Sequence, residues 1–536
     1  MQFFKSMSVS LGVCAAVAGA GTIHVPKHYP TIQGAIDAST NGDLILIAAG
    51  QYSEYNITLL GKAIVIEGAT NNQGELVVTV DAGGQGRVFV CDGGETAKTV
   101  LKNIIVTGGT AFSGGGIYIE NSSPSIVGCR IMNNEAIKGF GGGICVVDGT
   151  LSIVDCTFIG NIGGVGGGVY NQPEYGSSHE VQGCLFQDNH AVNGNYGHGG
   201  GLNHARGVLN ISDCDFIENT ASGGGGGMSE FASNGIKMRD CTFIDNIALN
   251  GGGLATSGIG GCEIVSSTFI GNYADSYGGG IESGSPILSL TNCRLSENVA
   301  GLLGGAVLVL YADQEPAKFV NCMIDNNTTY AGATVSIHGS DETSFVNSAI
   351  IDNFGAGLYI YGFGTQSADV HNSVLFGNSN PSLVIEGEVD LDVRYSNIEG
   401  GWSGEGNINA EPRFTFVNDM MMIEPDSPCV DIGSNGLLPA DDSDIDDDGN
   451  LLEPLPIDLV GSARVVGNIV DIGPLEHQPQ SCPGDVNGDS AVNVSDILLI
   501  INAWGCQECD AADVTDDGIV NVADLLTVIN GWGQCP

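Results

Sequence analysis

The sequence predicts an all-β protein, a right-handed parallel β-helix with an N-terminal helical cap, followed by a small α-helical domain built on a duplicated calcium loop. Three observations predict this architecture: a short motif recurring every roughly 23 to 30 residues, glycine triplets between its copies, and two Asp/Asn-rich loops near the end of the chain. A repeat of this length is typical of solenoids, in which each coil packs only on its neighbours.

The first residues predict a signal peptide over residues 1–20. One Lys in MQFFK precedes an uncharged run that ends in the small-residue cleavage signal Ala18-Gly19-Ala20. This run is too short for a membrane span, and no other stretch reaches the roughly 18 apolar residues that a span requires. We therefore expect a secreted or extracellular cell-surface protein without a transmembrane segment, in which disulfides can form.

The charge of the chain excludes one class of partner. Sixteen Lys and Arg residues face 62 Asp and Glu residues, which gives a net charge of -46. Such a chain repels phosphate backbones, so nucleic acid is not expected as a partner. The acidic excess suits the binding of divalent cations, and it equally suits a solvated surface that keeps a secreted protein soluble.

The repeat reads C-x-[FIL]-x-x-N, a polar link, and then G-G-G-[IVL]. Its first half begins at Cys129, Cys156, Cys184, Cys214, Cys241, Ser267, Cys293, Cys322, Ser348 and Ser373. Its Asn stands at Asn134, Asn161, Asn189, Asn219, Asn246, Asn272, Asn298, Asn327, Asn353 and Asn378. Glycine triplets precede Ile117, Ile144, Val169, Leu202, Met228, Leu254 and Ile281.

A leucine-rich repeat is the main alternative, because Ile153-x-x-Cys156-x-Phe158-x-x-Asn161 also satisfies its consensus. A leucine-rich repeat continues into a helical segment, whereas here glycines lead into a second alternating run, such as residues 116–120. Glycine marks tight bends, so each coil is predicted to consist of short parallel strands with right-handed crossovers. Calcium-binding nonapeptide repeats are excluded, since an aliphatic residue replaces the Asp that should follow the glycines.

In a β-helix the recurring Asn is predicted to form an internal ladder, with each amide bonded to the turns above and below. The Cys of each coil and the following Phe, Ile or Leu are predicted to fill the core as small hydrophobic groups. Seven in-line cysteines are a poor candidate for catalysis. They also lack the two-residue spacing of zinc sites.

The segment before the repeats resembles the opening of pectin-lyase-like β-helix proteins. The resemblance lies in Tyr29-Pro30-Thr31-Ile32-Gln33 through Ala38, in Gly42 through Ile47, and in Gly50-Gln51-Tyr52-x-Glu54. Ile32, Ala35 and Ile36 fall on one helical face with Thr31 as N-cap, which predicts a short helix that closes the open core. The resemblance implies the architecture and not a chemistry, because lyases, hydrolases, esterases and adhesins share it.

We place the β-helix at residues 21–408 and a closing segment at residues 409–478. The closing segment is similar to those that follow secreted bacterial β-helices, through Ser427-Pro428-Cys429-x-Asp431-x-Gly433 and similar stretches. It contains an acidic run in which Asp444, Asp446 and Asp448 match the first, third and fifth positions of a calcium loop. Leu455 stands where an EF-hand needs Glu, so a calcium site and a merely acidic loop both stay open.

Residues 479–536 contain two copies of one unit, whose loops open at Asp485 and Asp513. Side-chain oxygens stand at positions one, three, five, nine and twelve of each loop, and position seven offers a backbone carbonyl. The first loop supplies Asp485, Asn487, Asp489, Ala491, Asn493 and Asp496. The second loop supplies Asp513, Thr515, Asp517, Ile519, Asn521 and Asp524. Apolar helices are predicted after the loops, from Ile497 to Trp504 and from Leu525 to Trp532.

The duplicated loops, with Asp rather than Glu at position twelve, resemble a type I dockerin over the whole tail. The resemblance implies calcium as cofactor and a cohesin-like or other surface protein as partner. Family partner contacts fall at loop positions ten and eleven, here Val494, Ser495, Val522 and Ala523. The familiar Ser-Thr pair is missing, which puts a standard cohesin in doubt. Four cysteines flank the helices and allow three pairings, which the sequence does not decide: Cys482, Cys506, Cys509 and Cys535.

Two functions stay open: a noncatalytic carbohydrate-associated protein anchored through its dockerin, and a polysaccharide lyase or glycoside hydrolase. An enzyme would need a base beside a uronate, or paired carboxylates, in a groove along one sheet. The densest candidate lies in the enlarged turns of residues 170–206, where Tyr196 could stack on a sugar ring, Arg206 could pair with a uronate, and His198 or His204 could act as base. Polar decoration of exposed loops is the alternative interpretation of this cluster. We expect any glycan to bind beside these coils.

Overall fold

The computed structural model describes residues 21–136, 138–174, 176–310, 316–362, 366–379, 381–417, 420–478, 484–487, 491–506, 512–515 and 518–534. The predicted signal peptide lies outside the described residues. The chain divides into two compact units, residues 1–476 and residues 477–536.

The first unit is a right-handed parallel β-helix, in which each coil contributes to three parallel sheets. Among the described residues, sheet 1 has fifteen strands, sheet 2 has fourteen and sheet 3 has twenty-one, because most coils give sheet 3 a short strand as well as a longer one. Strands of successive coils pair in register, so equivalent residues form straight columns along the solenoid. The predicted fold class is confirmed.

Sheet 1 consists of Thr22–Val25, Leu44–Ile47, Val65–Gly68, Val100–Lys102, Ser125–Val127, Ser152–Val154, Ser178–Gln182, Val208–Ser212, Gly235–Arg239, Cys262–Val265, Leu288–Thr291, Pro316–Val320, Glu342–Val346, Gln366–His371 and Val389–Arg394. Sheet 2 consists of Gly50–Tyr52, Val78–Asp81, Ile105–Thr107, Arg130–Met132, Thr157–Ile159, Leu185–Gln187, Asp215–Ile217, Thr242–Ile244, Thr268–Ile270, Arg294–Ser296, Met323–Asp325, Ala349–Ile351, Val374–Phe376 and Asn397–Ile398.

The short strands of sheet 3 are Ile57–Thr58, Thr110–Ala111, Glu135–Ala136, Ile162–Gly163, His190–Ala191, Thr220–Ala221, Ile247–Asn250, Tyr273–Tyr277 and Val299–Ala300. Its other strands are Phe89–Cys91, Ile117–Glu120, Ile144–Val147, Val169–Gln172, Leu202–Ala205, Met228–Phe231, Leu254–Ser257, Ile281–Ser283, Val307–Leu310, Thr328–His338, Phe354–Tyr361 and Leu383–Glu386.

A short helix, α1 (Ile32–Ala38), lies before the first complete coil. The Thr31 hydroxyl oxygen accepts a hydrogen bond from the Gly34 amide at 3.1 Å, which makes Thr31 the N-cap. Ile32, Ala35 and Ile36 are fully buried and belong to the main core cluster. The helix therefore covers the open end of the core with apolar side chains, as the sequence predicts.

The recurring Asn residues form the predicted ladder inside the turn between sheets 2 and 3. The Asn161 side-chain amide donates to Oδ1 of Asn189 in the next coil and to the Ile131 carbonyl of the preceding one, both at 2.9 Å. The Asn161 backbone amide donates to the same Oδ1 of Asn189 at 3.1 Å. Because the pattern repeats from Asn134 to Asn353, it satisfies turn amides that the core would otherwise leave unpaired.

The core beside the ladder consists of stacked rings and thiols. Five rings, Phe158 to Phe269, stack in sequence with centroids 4.6 to 4.7 Å apart. The motif cysteines are free and buried. Burial raises the pKa of the Cys214 and Cys293 thiols well above the usual value, so these groups stay protonated and are poor nucleophiles. The prediction of buried thiols that act as small hydrophobic groups is confirmed.

The glycine triplets allow backbone to pack directly on backbone between coils. A Cβ added to Gly116 would lie 2.6 Å from the Gly143 carbonyl oxygen, and one added to Gly143 would lie 2.5 Å from that of Gly168. The first glycine of a triplet also needs a left-handed backbone, as at Gly141 with φ of 64°. These glycines form a bend beside the outer face of sheet 3.

The closing segment contains an antiparallel hairpin, Phe414–Val417 with Met420–Ile423, and a 3₁₀ turn, Asn435–Leu437. Its centre is the buried Arg464 guanidinium, which donates to the carbonyls of Asp471 at 3.0 Å and Gly473 at 2.8 Å. Glu476 lies 3.7 Å from the same guanidinium, and burial raises the pKa of its carboxyl to about 7.

The second unit contains helices α2 (Val494–Asn502) and α3 (Val522–Asn530) and an antiparallel pair, Ala491–Val492 with Gly533–Gln534. The helices begin three residues earlier and end two residues earlier than the sequence predicts. The physical reason is that Asn493 and Asn521 act as N-caps with Asp496 and Asp524 in capping boxes. Among the described residues, no helix has the length and apolarity needed to cross a membrane.

Candidate functional site

The last acidic residue of each tail loop lies in the first turn of the following helix and accepts hydrogen bonds from the loop. Asp496 is fully buried, and its two carboxylate oxygens accept from the amides of Asn487 at 3.1 Å and Asn493 at 2.9 Å. The second loop repeats these contacts through Asp524, Thr515 and Asn521. Burial opposes ionisation of Asp524, but the hydrogen bonds from the loop outweigh it and hold the pKa of this carboxyl below its usual value.

The predicted ligand set of the tail is made of oxygen donors, the chemistry that calcium prefers. The Ala491 and Ile519 carbonyls accept from the side-chain amides of Asn493 and Asn521 at 2.9 and 2.8 Å. The expected ligands Asp489 and Asp517 lie outside the described residues. Residues 478–536 contain no Lys or Arg that could neutralise these acids. The donor set therefore fits a calcium ion in each loop.

The two helices of the tail, each with the Trp that follows it, carry matching exposed apolar stripes. The stripes consist of Val494, Leu498, Ile501 and Trp504, and of Val522, Leu526, Ile529 and Trp532. All eight side chains are between 47% and 59% exposed, and each pair is related by the 28-residue duplication. Ser495, another predicted partner contact, is exposed, and Ala523 is half-buried. Exposed apolar side chains in this concentration are typical of a binding surface.

Cys506 is disulfide-bonded. The other three tail cysteines of the predicted framework, Cys482, Cys509 and Cys535, lie outside the described residues.

The acidic loop of the closing segment gathers carboxylates. Oxygens of Asp444, Asp446 and Asp448 lie within 4.8 Å of one another, and Asp444 Oδ1 accepts from the Gly449 amide at 3.0 Å. Leu455 is buried and packs near Val265, so it contributes to the core rather than to a site. The loop has the donors for a cation, and Arg239 of sheet 1 donates to its backbone carbonyls.

The enlarged turns of residues 170–206 do not bring all their predicted residues together. Tyr196 is 74% exposed, and His198 is half-buried with its Nδ1 accepting from the Gly224 amide at 2.9 Å. Arg206 is half-buried and has a left-handed backbone with φ of 74°. Tyr175, which falls in the same turns, lies outside the described residues.

His204 differs most from expectation, because its side chain points into the core. It is fully buried, its Nδ1 lies 3.0 Å from Asn171 Nδ2, and its ring packs 5.6 Å from that of buried His179. Burial lowers the pKa of His204 to about 3 and that of His179 to about 4, so both rings are neutral at pH 7. A base on the outer surface therefore cannot be His204. The sequence could have predicted the inward orientation of His204, because side chains alternate along a strand and the apolar Leu202 stands two residues earlier.

His198 lines a groove on the outer face of sheet 3, and Tyr196 follows the lining residue Asn195. The groove has a volume of about 300 Å³ and is bounded by the turns that precede the glycine triplets. Its floor is one outward-facing column of paired residues, Tyr170, Asn203, Ser229, Ala255 and Glu282.

A larger cleft lies between the outer face of sheet 1 and the acidic arm of the closing segment. Its volume is about 450 Å³, and residues 439–443 and Leu455 form one wall. Lys237, Glu263 and Lys318 stand in one outward column of its floor. Sequence reasoning missed these residues, although strict alternation in Gly235-Ile236-Lys237-Met238 indicates an outward lysine.

Comparisons with known proteins identify the domain in the tail of the chain. The Dockerin type I domain family model matches residues 483–531. No curated protein sequence matches the chain. Among solved structures, pectate lyase Pel9A is 13% identical, with a TM-score of 0.31 and coverage of 86% of this chain and 98% of that one.

Two further solved structures are similar at this distant level. The PL6 family alginate lyase AlyGC is 12% identical, with a TM-score of 0.33 and coverage of 76% of this chain and 56% of its own. A pectin methylesterase from Aspergillus niger is 14% identical, with a TM-score of 0.25 and coverage of 57% and 86%. Such likeness carries no argument about activity. The chain is a right-handed parallel β-helix that carries a type I dockerin domain at residues 483–531.

Proposed function

We propose that this chain is a secreted, carbohydrate-associated β-helix protein that a cohesin-like partner holds through its calcium-loaded dockerin domain. The match of residues 483–531 to the dockerin family carries the docking part of the proposal. The paired apolar stripes support it, because they are exposed on both copies of the unit and would be desolvated by a partner. Val494 and Val522 belong to these stripes, and Ser495 and Ala523 adjoin them.

When bound, calcium would supply the positive charge that balances the acidic side chains of the loops. Asp485, Asn487 and Asn493 of the first loop would hold it, together with Asp489 and Asp496. The equivalent ligands in the second loop would be Asp513, Thr515, Asp517, Asn521 and Asp524. The buried carboxylates of Asp496 and Asp524 organise the loop amides and begin the helices that present the apolar stripes.

Titration of the full chain against a panel of cohesin modules by calorimetry, with calcium and with EDTA, tests the docking proposal. We expect binding in calcium only. The double variant Leu498→Ser/Leu526→Ser should weaken binding at least tenfold, because each side chain is about half exposed and central to its stripe.

The matched control is Ile259→Ser, which removes an even more exposed apolar side chain from the β-helix. It should bind like the parent. Equal affinity of the double variant and the control for a bound cohesin would overturn the assignment of the stripes, and calcium-independent binding would overturn the role of the loops.

Export is tested on protein recovered from the medium of an expressing culture. The mature chain should begin at Gly21 when its N-terminus is determined by mass spectrometry. An intact Met1 on extracellular material would contradict cleavage after Ala20.

A polysaccharide-degrading activity, as lyase or glycoside hydrolase, is the second candidate. The sheet 1 cleft favours it, because Lys237 and Lys318 share one column of its floor with Glu263 in a chain that has only sixteen basic residues. A lysine there could pair with a uronate carboxylate, and the neighbouring groups could move a proton. Release of unsaturated or reducing ends from polyuronates measures the activity. Lys237→Ala/Lys318→Ala should abolish it, whereas Lys98→Ala, at an exposed loop position, should not.

A further inference from the structure

Two polar side chains in the floor of the groove on sheet 3 have no side-chain hydrogen bond to any described residue. Asn203 and Ser229 are each only 4% exposed, occupy adjacent places in one column, and make no side-chain hydrogen bond to any described residue. Asn250 Oδ1, at the groove wall, is also buried without a partner among the described residues. The polar atoms of Asn203 and Ser229 are open to the groove, and with Asn250 they can be paired by a ligand that enters it.

The charge of the groove selects the kind of ligand. Its described lining residues include two carboxylates, Glu230 and Glu282, and no Lys or Arg. Glu230 is held inside by the amides of Ser233 and Ser257. Burial lowers the pKa of His198, which therefore adds no positive charge at pH 7. A polyuronate would find no basic side chain for its carboxylates among these lining residues and would be repelled by either glutamate when that glutamate is ionised, so the groove disfavours polyuronates.

The neutral groups of the groove can form hydrogen bonds in both directions. His198 accepts the Gly224 amide through Nδ1, so its Nε2 carries the proton and is a donor. Burial raises the pKa of Glu282 to about 7, so its carboxyl is partly protonated near neutrality and can donate as well as accept. Asn203 offers a donor and an acceptor. The hydroxyl groups of a sugar also donate and accept hydrogen bonds, so they can pair with these side chains.

Aromatic rings border the same groove. Phe231 is 62% exposed and Phe140 is 39% exposed, and the Phe140 ring lies 4.5 Å from that of Tyr170. Tyr196, 74% exposed, follows the lining residue Asn195. Such exposed ring faces can pack against the apolar face of a pyranose. Coils rise by about 4.8 Å, so the column continues along the groove as an elongated site rather than a single pocket.

We propose that this groove binds a segment of a neutral polysaccharide, at a site separate from the sheet 1 cleft. This inference rests on the carbohydrate association stated under Proposed function and names its substrate class. It replaces the sequence-based expectation of a uronate paired with Arg206, which is not among the lining residues.

Affinity electrophoresis and calorimetry of the full chain test this site. The probes are three neutral polysaccharides, arabinoxylan, mixed-linkage β-glucan and galactomannan, and two polyuronates, polygalacturonate and alginate. We expect the parent to bind at least one neutral polysaccharide. Phe231→Ala and Asn203→Ala should each weaken that binding at least tenfold, and Glu282→Gln, which keeps shape and hydrogen bonding, should weaken it less than threefold.

Two controls separate a loss of groove contacts from the loss of any exposed ring and from misfolding. Tyr330→Ala removes an exposed ring that does not line the groove, and it should bind as the parent does. The Phe231 ring lies outside the core, so Phe231→Ala should keep the parental melting temperature, which is measured alongside binding.

The outcomes are distinguishable. Neutral polysaccharide binding that survives both Phe231→Ala and Asn203→Ala overturns the groove. Binding of polyuronates alone, lost in Lys237→Ala/Lys318→Ala, overturns the groove while carbohydrate association stands. Binding of none of the five polysaccharides overturns both, and cohesin docking is then judged from its own titration.

Discussion

The β-helix and the dockerin domain solve the same problem, that of burying polar groups, in opposite ways. In the β-helix the amide of Asn161 finds its partner in Asn189 of the next coil, so the chain supplies both donor and acceptor. In the dockerin domain the buried carboxylate of Asp496 organises its loop, yet residues 478–536 contain no basic side chain to balance the acids. The ladder of the first region pairs its own groups, whereas the loops of the second, on our proposal, rely on calcium.

The two regions should therefore be destabilised by different changes. A self-paired ladder fails when one of its own members is removed, because the neighbours lose partners that water cannot replace. A ligand-dependent loop fails when the ligand is removed, with every residue intact.

Removal of calcium should have the largest effect. The isolated tail, residues 479–536, with its disulfides reduced, should lose its helical circular dichroism signal in EDTA, because crowded carboxylates oppose folding without a cation. The β-helix segment, residues 21–476, should keep its β-sheet signal under the same conditions. A tail spectrum unchanged by EDTA would erase the contrast between the two regions.

Asn246→Ala should destabilise the β-helix by about 2–4 kcal/mol, since it orphans the Asn219 amide and breaks contacts with Asn272 and the Phe216 carbonyl. Thermal denaturation measures it. Asn250→Ala is the matched control, because the Asn250 side-chain oxygen has no partner among the described residues and its removal costs little. Equal melting temperatures for Asn246→Ala and the parent would contradict a stabilising ladder.

Acid should weaken the β-helix through its buried histidines. The pKa of His204 is about 3 in the folded chain, against about 6.5 when unfolded, so the unfolded state binds the proton first. Its contribution to stability is complete above about pH 6.5 and is lost, at up to about 1.4 kcal/mol per pH unit, as the pH falls toward 3. His204→Gln should flatten this dependence in denaturant titrations between pH 6.5 and 4. The exposed-site control His28→Gln should retain the parental slope.

The smallest effect is expected for Cys214→Ser, less than about 1 kcal/mol in thermal denaturation. Ser267 already occupies this column, where its oxygen accepts the Cys241 amide at 3.1 Å and donates to the Val265 carbonyl at 2.8 Å. The Cys214 sulfur likewise accepts a hydrogen bond from the Cys184 backbone amide, at 3.4 Å. A large loss of stability would mean that the thiol does more than fill space and accept one hydrogen bond.

Much of the fold followed from spacing alone. One Cys or Ser and one Asn per coil, with glycines between them, leave few ways to stack the chain, because only glycine tolerates the backbone contact at positions such as Gly143. The N-cap at Thr31 was also predictable, because the capping residue and the apolar face of helix α1 lie within eight residues of each other in the sequence.

The candidate sites were harder to predict, because they depend on which residues of different coils become neighbours. Lys237 and Lys318 are far apart in the sequence, and only the register of sheet 1 puts them in one column. His204 was expected outside because it falls in the enlarged turns of residues 170–206, although strand alternation points it inward. The helix starts at Val494 and Val522 were missed, because the calcium-loop pattern obscured the capping signal of the preceding Asn.

The column of interchangeable coils has a consequence for how such a gene can change. Neighbouring coils such as those of Phe216, Phe243 and Phe269 present the same ring, thiol or hydroxyl, and amide on their upper surface as on their lower one, so they can be joined in a new order. Recombination between repeats could therefore add or delete one whole coil, such as residues 241–266, and leave no mismatched surface behind. The number of coils in the solenoid can then change by one at a time during evolution, while the packing of the core stays the same.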